Sequence, residues 1–136
     1  MAVTNWLIDK SAYTQLVASP DAQAWVERIE RGLVRMSTVT RLQIGYSFRN
    51  GPQARSESGA PPLALMPLEY LTPAAEDRAV GVQLQLADRG LHRAPAIPDL
   101  LVAAVAEMAG LTVLALDTDF DLIAQVTGQA VERLRL

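Results

Sequence analysis

An α/β domain of three layers, with a central parallel sheet between helices, is the fold these 136 residues predict. Three observations lead there. Short apolar runs alternate with segments carrying helix start and stop signals, which is the pattern of βαβ units. The runs at 5–8 and 112–116 are apolar without strict alternation, as strands buried on both faces are. Aspartates stand just past apolar runs, at Asp9, Asp99, Asp117 and Asp119, where the carboxyl ends of parallel strands line up. Right-handed crossovers then distribute the helices over both sheet faces.

Taken in order, a strand at 5–8 leads into a helix at 11–18. Ser19-Pro20-Asp21 opens the next helix with a capping serine, proline at the first helical position and an acid in the first turn; Gly32 closes it. A second strand at 33–36 precedes a helix from Thr38 to about Arg49, stopped by Asn50-Gly51. The segment 50–62 holds three prolines and two glycines among charged residues. It reads as a surface loop with room for a helical turn, not as a domain boundary. A third strand occupies 65–70. Thr72-Pro73 opens a helix with Glu76 and Asp77 near its positive end, ended by Gly90. Pro98-Asp99 opens another, stopped by Gly110, and 112–116 is the fourth strand. A last helix runs from about Asp119 to Gly128, followed by a fifth strand at 131–134. Glycine just past a helix end is the expected cap.

Residues 1–136 suit one domain, large enough for a proper core and too small for two. The absence of cysteine excludes disulfides and thiolate metal sites and points to a reducing compartment. A single histidine, His92, argues against an imidazole zinc site. No secretory signal opens the sequence, and the apolar stretch 100–116, broken by Glu107 and Gly110, is shorter than the roughly 20 residues a bilayer requires. A soluble cytoplasmic protein is expected. Net charge is −3, a weak argument against general attraction to polyanions. Every basic residue but Lys10 is arginine, the better fork for phosphate, although genomic base composition explains that bias as well.

Each aspartate alone has a plain reading as a helix cap or first-turn acid. Convergence is the stronger argument. Three separate strand ends direct acids to one edge, and Asp117-Thr118-Asp119 forms a tight pair. Crowded carboxylates repel, so the arrangement makes sense around a hard divalent cation. Trp6 and Trp25 read as core or interface residues.

These stretches resemble a known family. Leu7-Ile8-Asp9-Lys10-Ser11-Ala12 is similar to the opening of PIN-domain ribonucleases, specifically the VapC toxins of bacterial toxin–antitoxin pairs. Three more stretches match in order and spacing: Ser37-Thr-Val-Thr-Arg-Leu-Gln-Ile-Gly-Tyr-Ser47, Ile97-Pro-Asp-Leu-Leu-Val-Ala-Ala104, and Leu114-Ala-Leu-Asp-Thr-Asp-Phe-Asp-Leu-Ile-Ala124. The likeness spans nearly the whole chain. One departure matters: the family has glutamate where this chain has Gln43. The amide offers one carbonyl oxygen and no charge. Natural drift and deliberate disarming of a toxic nuclease both produce such a change.

The resemblance implies a PIN-like domain acting as a Mg²⁺- or Mn²⁺-dependent endoribonuclease. Asp9, Asp99, Asp117 and Asp119 would hold the ion directly or through water, and position 43 would complete the catalytic set. The ion would supply an acidic water for in-line attack, leaving 5′-phosphate and 3′-hydroxyl ends. Ser11 would orient Asp9 or a water, unless it only caps a helix. With Arg89, His92 and Arg93 it makes up the candidate RNA contacts. The implied partners are a VapB antitoxin, docking on the helices at 11–18 and 38–49 and the following loop, and an RNA substrate, with tRNA near the anticodon loop favoured. A homodimer is implied, forming a heterotetramer or larger assembly with antitoxin. Two rivals stand beside this: an inactive PIN fold that only binds antitoxin, which Gln43 suggests, and a Mg²⁺-binding phosphoacceptor module. The second would want adjacent acids after the first strand, a lone aspartate after the third and a lysine after the fifth; this chain has only Lys10, and no acid closely follows the run 65–70.

Overall fold

The computed structural model describes residues 3–136. Five strands form one sheet in the order β3-β2-β1-β4-β5, every neighbouring pair parallel. They are β1 (Trp6–Ile8), β2 (Val34–Ser37), β3 (Leu68–Glu69), β4 (Thr112–Ala115) and β5 (Val131–Arg133). The helices are α1 (Lys10–Tyr13), α2 (Ala22–Glu30), α3 (Thr38–Tyr46), α4 (Gly51–Ser58), α5 (Pro73–Ala87), α6 (Ile97–Ala109) and α7 (Asp119–Thr127).

The expected three layers follow from the alternation of side chains along each strand. Leu7, Val113 and Ala115 face one core, packed with Leu86, Val102, Phe120 and Ile123 of α5, α6 and α7. Trp6, Ile8 and Leu114 face the other, with Trp25 and Ile29 of α2 and Ile44 of α3. Both faces of β1 are therefore covered, as its uninterrupted apolar sequence requires. Trp6 and Trp25 meet edge to face at 5.0 Å beneath the Arg28 guanidinium, so both tryptophans are core residues.

The chain leaves β1 toward β2 and β3 on one side, and β4 toward β5 on the other. The seam between β1 and β4 is thus a topological switch point, the place where open parallel sheets bind ligands outside their carboxyl ends. Among the described residues, no helix is long and apolar enough to cross a membrane.

Several boundaries differ from expectation. The segment 50–62 is not mainly loop, because α4 fills most of it. Asn50 caps this helix by accepting the Gln53 N–H, and Pro52 sits in the first turn, where its missing N–H costs nothing. The strand foreseen at 65–70 shrinks to Leu68–Glu69, since Leu63–Leu65 winds into a 3-10 turn. The helix at 11–18 is one α turn followed by a 3-10 turn at Leu16–Ala18. The helix after Ser19 starts only at Ala22, because the Ser19 hydroxyl takes the Asp21 N–H to form a turn. The helix from Thr38 stops at Tyr46, with Ser47 as its C-cap, rather than near Arg49. Gly110 ends α6 in the left-handed region, φ 70°, as the cap reading requires.

Candidate active site at the carboxyl edge of the sheet

Asp9 directly follows β1 and is almost wholly buried. Its backbone N–H bonds the Leu114 carbonyl of β4, which locks the two strand ends together. Its Oδ2 accepts the Ser11 N–H at 3.0 Å and the Ser11 hydroxyl at 2.7 Å. The Ser11 oxygen in turn accepts the N–H groups of Leu116, at 2.9 Å, and Asp117, at 3.1 Å. One donor and two acceptor sites are all a hydroxyl has, and Ser11 spends all three joining Asp9 to the end of β4. Ser11→Ala would strip a partner from Asp9 and from two loop amides. It is expected to destabilise the fold by about 1–3 kcal/mol in a denaturant titration. A loss under about 0.5 kcal/mol would mean that water replaces the hydroxyl freely.

Asp99 lies in the first turn of α6 and is 6% exposed. Asp99, Asp117 and Asp119 each offer a carboxylate oxygen within 4.8 Å of the other two. Asp117 Oδ1 accepts the Asp119 N–H, which folds the loop between β4 and α7, and Asp119 Oδ2 accepts the Ala96 N–H just before α6. Asp9 stands outside this trio but acts on it through its charge. Burial, and next the Asp9 charge, push the Asp99 carboxyl from 3.8 up to about 8; a proton shared with Asp119 and the charges of Asp117 and Asp119 add to this. Asp99 Oδ2 is sealed from solvent and meets no donor.

Such a group needs a proton or a cation. The donor set is entirely oxygen, the choice of Mg²⁺ and Mn²⁺ rather than of softer ions. The residues therefore fit a hard divalent ion.

Gln43 is on α3, which packs against α1 and α6. Its Oε1 is also buried without a donor, as is Thr38 Oγ1 just past β2. The candidate RNA contacts separate in space. His92 and Arg93 are exposed on the loop that Ala96 ties to Asp119. Arg89 instead lies with Gln85, Asp88 and Val126, beside the far end of α7 from Asp119.

Sequence reasoning missed Arg133 in β5, whose Nη1 donates to the Leu116 carbonyl. No local pattern signals that bond. Only the register of β5 on β4 brings it about.

The chain matches the PIN domain family model over residues 7–126. Ribonuclease VapC2 of Mycobacterium tuberculosis (strain CDC 1551 / Oshkosh) is 60% identical over 134 residues, covering 98% of this chain and 95% of the relative. Ribonuclease VapC51 of Mycobacterium tuberculosis (strain ATCC 25618 / H37Rv) is 42% identical, covering 92% and 89%. Among solved structures, VapBC2 from Rickettsia felis, bound to a promoter DNA fragment, contains a chain that superposes with a TM-score of 0.77. That match has 12% identity and covers 96% of this chain and 98% of the other, so it bears on the fold alone. The chain belongs to the PIN-domain family and, within it, to the VapC ribonucleases.

Proposed function

We propose that this protein is a VapC-type toxin, an endoribonuclease that depends on Mg²⁺ or Mn²⁺ and is restrained by a VapB-type antitoxin. One observation carries the reading: a buried carboxylate, Asp99, holds an oxygen without a donor among three further acids at the switch point of the sheet. Asp99, Asp117 and Asp119 would hold the cation, with the Asp9 charge beside them. Bound there, the cation supplies Lewis acidity for in-line attack on a phosphodiester. Ser11 keeps Asp9 and the Asp117 backbone in register and has no bond left for RNA. Gln43 offers a neutral acceptor where a carboxylate would bind more tightly, so the chain as written is strongly impaired. Arg93 and His92 meet the substrate backbone; Arg89 is a poorer candidate because of its distance from the acids. The ribose 2′-hydroxyl takes no part, so products carry 5′-phosphate and 3′-hydroxyl ends. tRNA, cut near the anticodon loop, is the favoured substrate, and the cytoplasm is the compartment.

The test is sequencing of 5′-phosphate ends after incubating total RNA with the Gln43→Glu variant and Mn²⁺. Ends concentrated at one position of one tRNA class, lost with chelator, support the reading. A ladder identical to that of an Asp99→Asn control would refute it. Gln43 itself favours one second reading, an inactive fold that only binds antitoxin. Calorimetry separates the two: that fold takes up no Mn²⁺ with either residue at position 43.

The antitoxin segment docks in an apolar groove of about 220 Å³ lined by Leu16, Val17, Trp25, Val26, Ile29 and Leu65. The groove uses the 3-10 turn after α1 and the loop after α4, both foreseen as docking wall, together with α2 rather than α3. Val17 is 91% exposed and Val26 is 51% exposed, an apolar surface that a partner would cover. Val26→Asp is expected to weaken cognate antitoxin binding about 10-fold or more while leaving the melting temperature near that of the parent. Unchanged affinity by calorimetry would move the docking site elsewhere. The protein pairs as a homodimer, and antitoxin joins two toxins into a heterotetramer or larger assembly.

A further inference from the structure

We infer that Arg133 is a positioning residue for Asp117 and Asp119, a bracket that holds the loop between β4 and α7 in its acid-presenting shape. Arg133 pairs with Ala115 in the β4–β5 register, so its side chain starts beside the end of β4. Nη1 donates to the Leu116 carbonyl at 2.9 Å, and Nη2 donates to Asp121 Oδ2 at 3.0 Å. These anchors lie on either side of the acids: Leu116 immediately precedes Asp117, and Asp121 follows Asp119 by two positions. Ser11 already holds the Leu116 and Asp117 amides from the opposite side. The peptide group entering Asp117 is thus gripped at both ends, by α1 and by the edge strand.

Exposure argues that stability is not the purpose. Arg133 and Asp121 are both more than half exposed, and ion pairs in that setting stabilise little. A guanidinium, however, takes a carbonyl and a carboxylate at once in a rigid planar fork, whereas an ammonium on its flexible stem holds them with less fixed geometry. Arg135 provides a built-in contrast, since it makes its own two-pronged pair with Asp21 and bonds nothing in the acid loop.

The inference rests on the reading of Asp117 and Asp119 as cation ligands. Two measurements keep it distinguishable from that reading: calorimetric Mn²⁺ titration, and amide hydrogen exchange across residues 116–121. The parent, Arg133→Met, Arg133→Lys and Arg135→Met are compared, with Asp121→Asn as a milder break if Arg133→Met folds poorly. Arg133→Met is expected to bind Mn²⁺ about 10-fold more weakly, in the range for groups that orient metal ligands. Its loop amides should exchange faster while its melting temperature stays near that of the parent. Arg133→Lys should recover part of the affinity, and Arg135→Met should match the parent. Parental affinity and exchange in Arg133→Met would overturn the bracket, as would an equal loss in Arg135→Met. If the parent takes up no Mn²⁺ but Arg133→Met still speeds exchange, the bracket stands and the cation reading falls.

Discussion

Gln43→Glu is expected to raise cleavage of cognate RNA by about 100-fold, the upper end of the range for groups that support a metal ligand. The change is nearly isosteric. It replaces a buried oxygen that meets no donor with one that carries charge. The same charge has a cost without the ion. It enters at a buried side-chain oxygen on α3, which packs against the α6 that carries Asp99. The variant should therefore melt below the parent in chelator, and above it in saturating Mn²⁺, because a ligand bound only by the folded state stabilises that state. Cleavage rates on a tRNA pool and melting curves with and without Mn²⁺ give both halves. A variant that melts lower in chelator yet cleaves no faster would show that position 43 faces the pocket without serving the reaction.

Asp99→Asn has the opposite signature. It removes the most buried acid of the trio, so Mn²⁺ uptake and cleavage should fall by at least about 100-fold. Chelated protein, by contrast, should gain stability above neutral pH. In the folded chain this carboxyl keeps its proton to about 8, whereas the unfolded chain loses it near 3.8. The folded state therefore binds more protons between those values. Stability falls as pH rises through that window, and the loss is complete above the folded value. Asparagine has no proton to lose, so this decline should be absent from the variant. The difference at pH 9 is on the order of a few kcal/mol, a shift of several degrees in melting temperature for a domain of this size. Parallel slopes for parent and variant from pH 5 to pH 9 in chelator would mean that Asp99 ionises freely.

What could be read from the residues was what depends on local chemistry. The acids at 9, 117 and 119 announced themselves because they follow the apolar runs of β1 and β4, which parallel pairing brings to one edge; Asp99, expected at a third strand end, follows no strand and reaches that edge from the first turn of α6. Gly110 marked the end of α6 because a left-handed cap needs glycine. The helix at Gly51–Ser58 was obscured by proline and glycine, although those same residues are good at starting and ending helices. The bonds from Ser11 to the Asp117 amide and from Arg133 to the Leu116 carbonyl span 106 and 17 positions. They depend on strand order and register, which no short window encodes. The precedence of Asp99 within the site was hidden for the same reason. Its burial and its three charged neighbours exist only after assembly.

The bond between Ser11 and the Asp117 amide carries a consequence for a cell that makes this protein. Asp9 is translated early and Asp117 more than a hundred codons later, so a nascent polypeptide has no complete set of acids until β4 has been synthesised and laid against β1. The growing chain therefore holds no assembled acid cluster for nearly the whole of its synthesis. The cluster is complete only once the sheet has closed, which gives an antitoxin made alongside it time to be waiting.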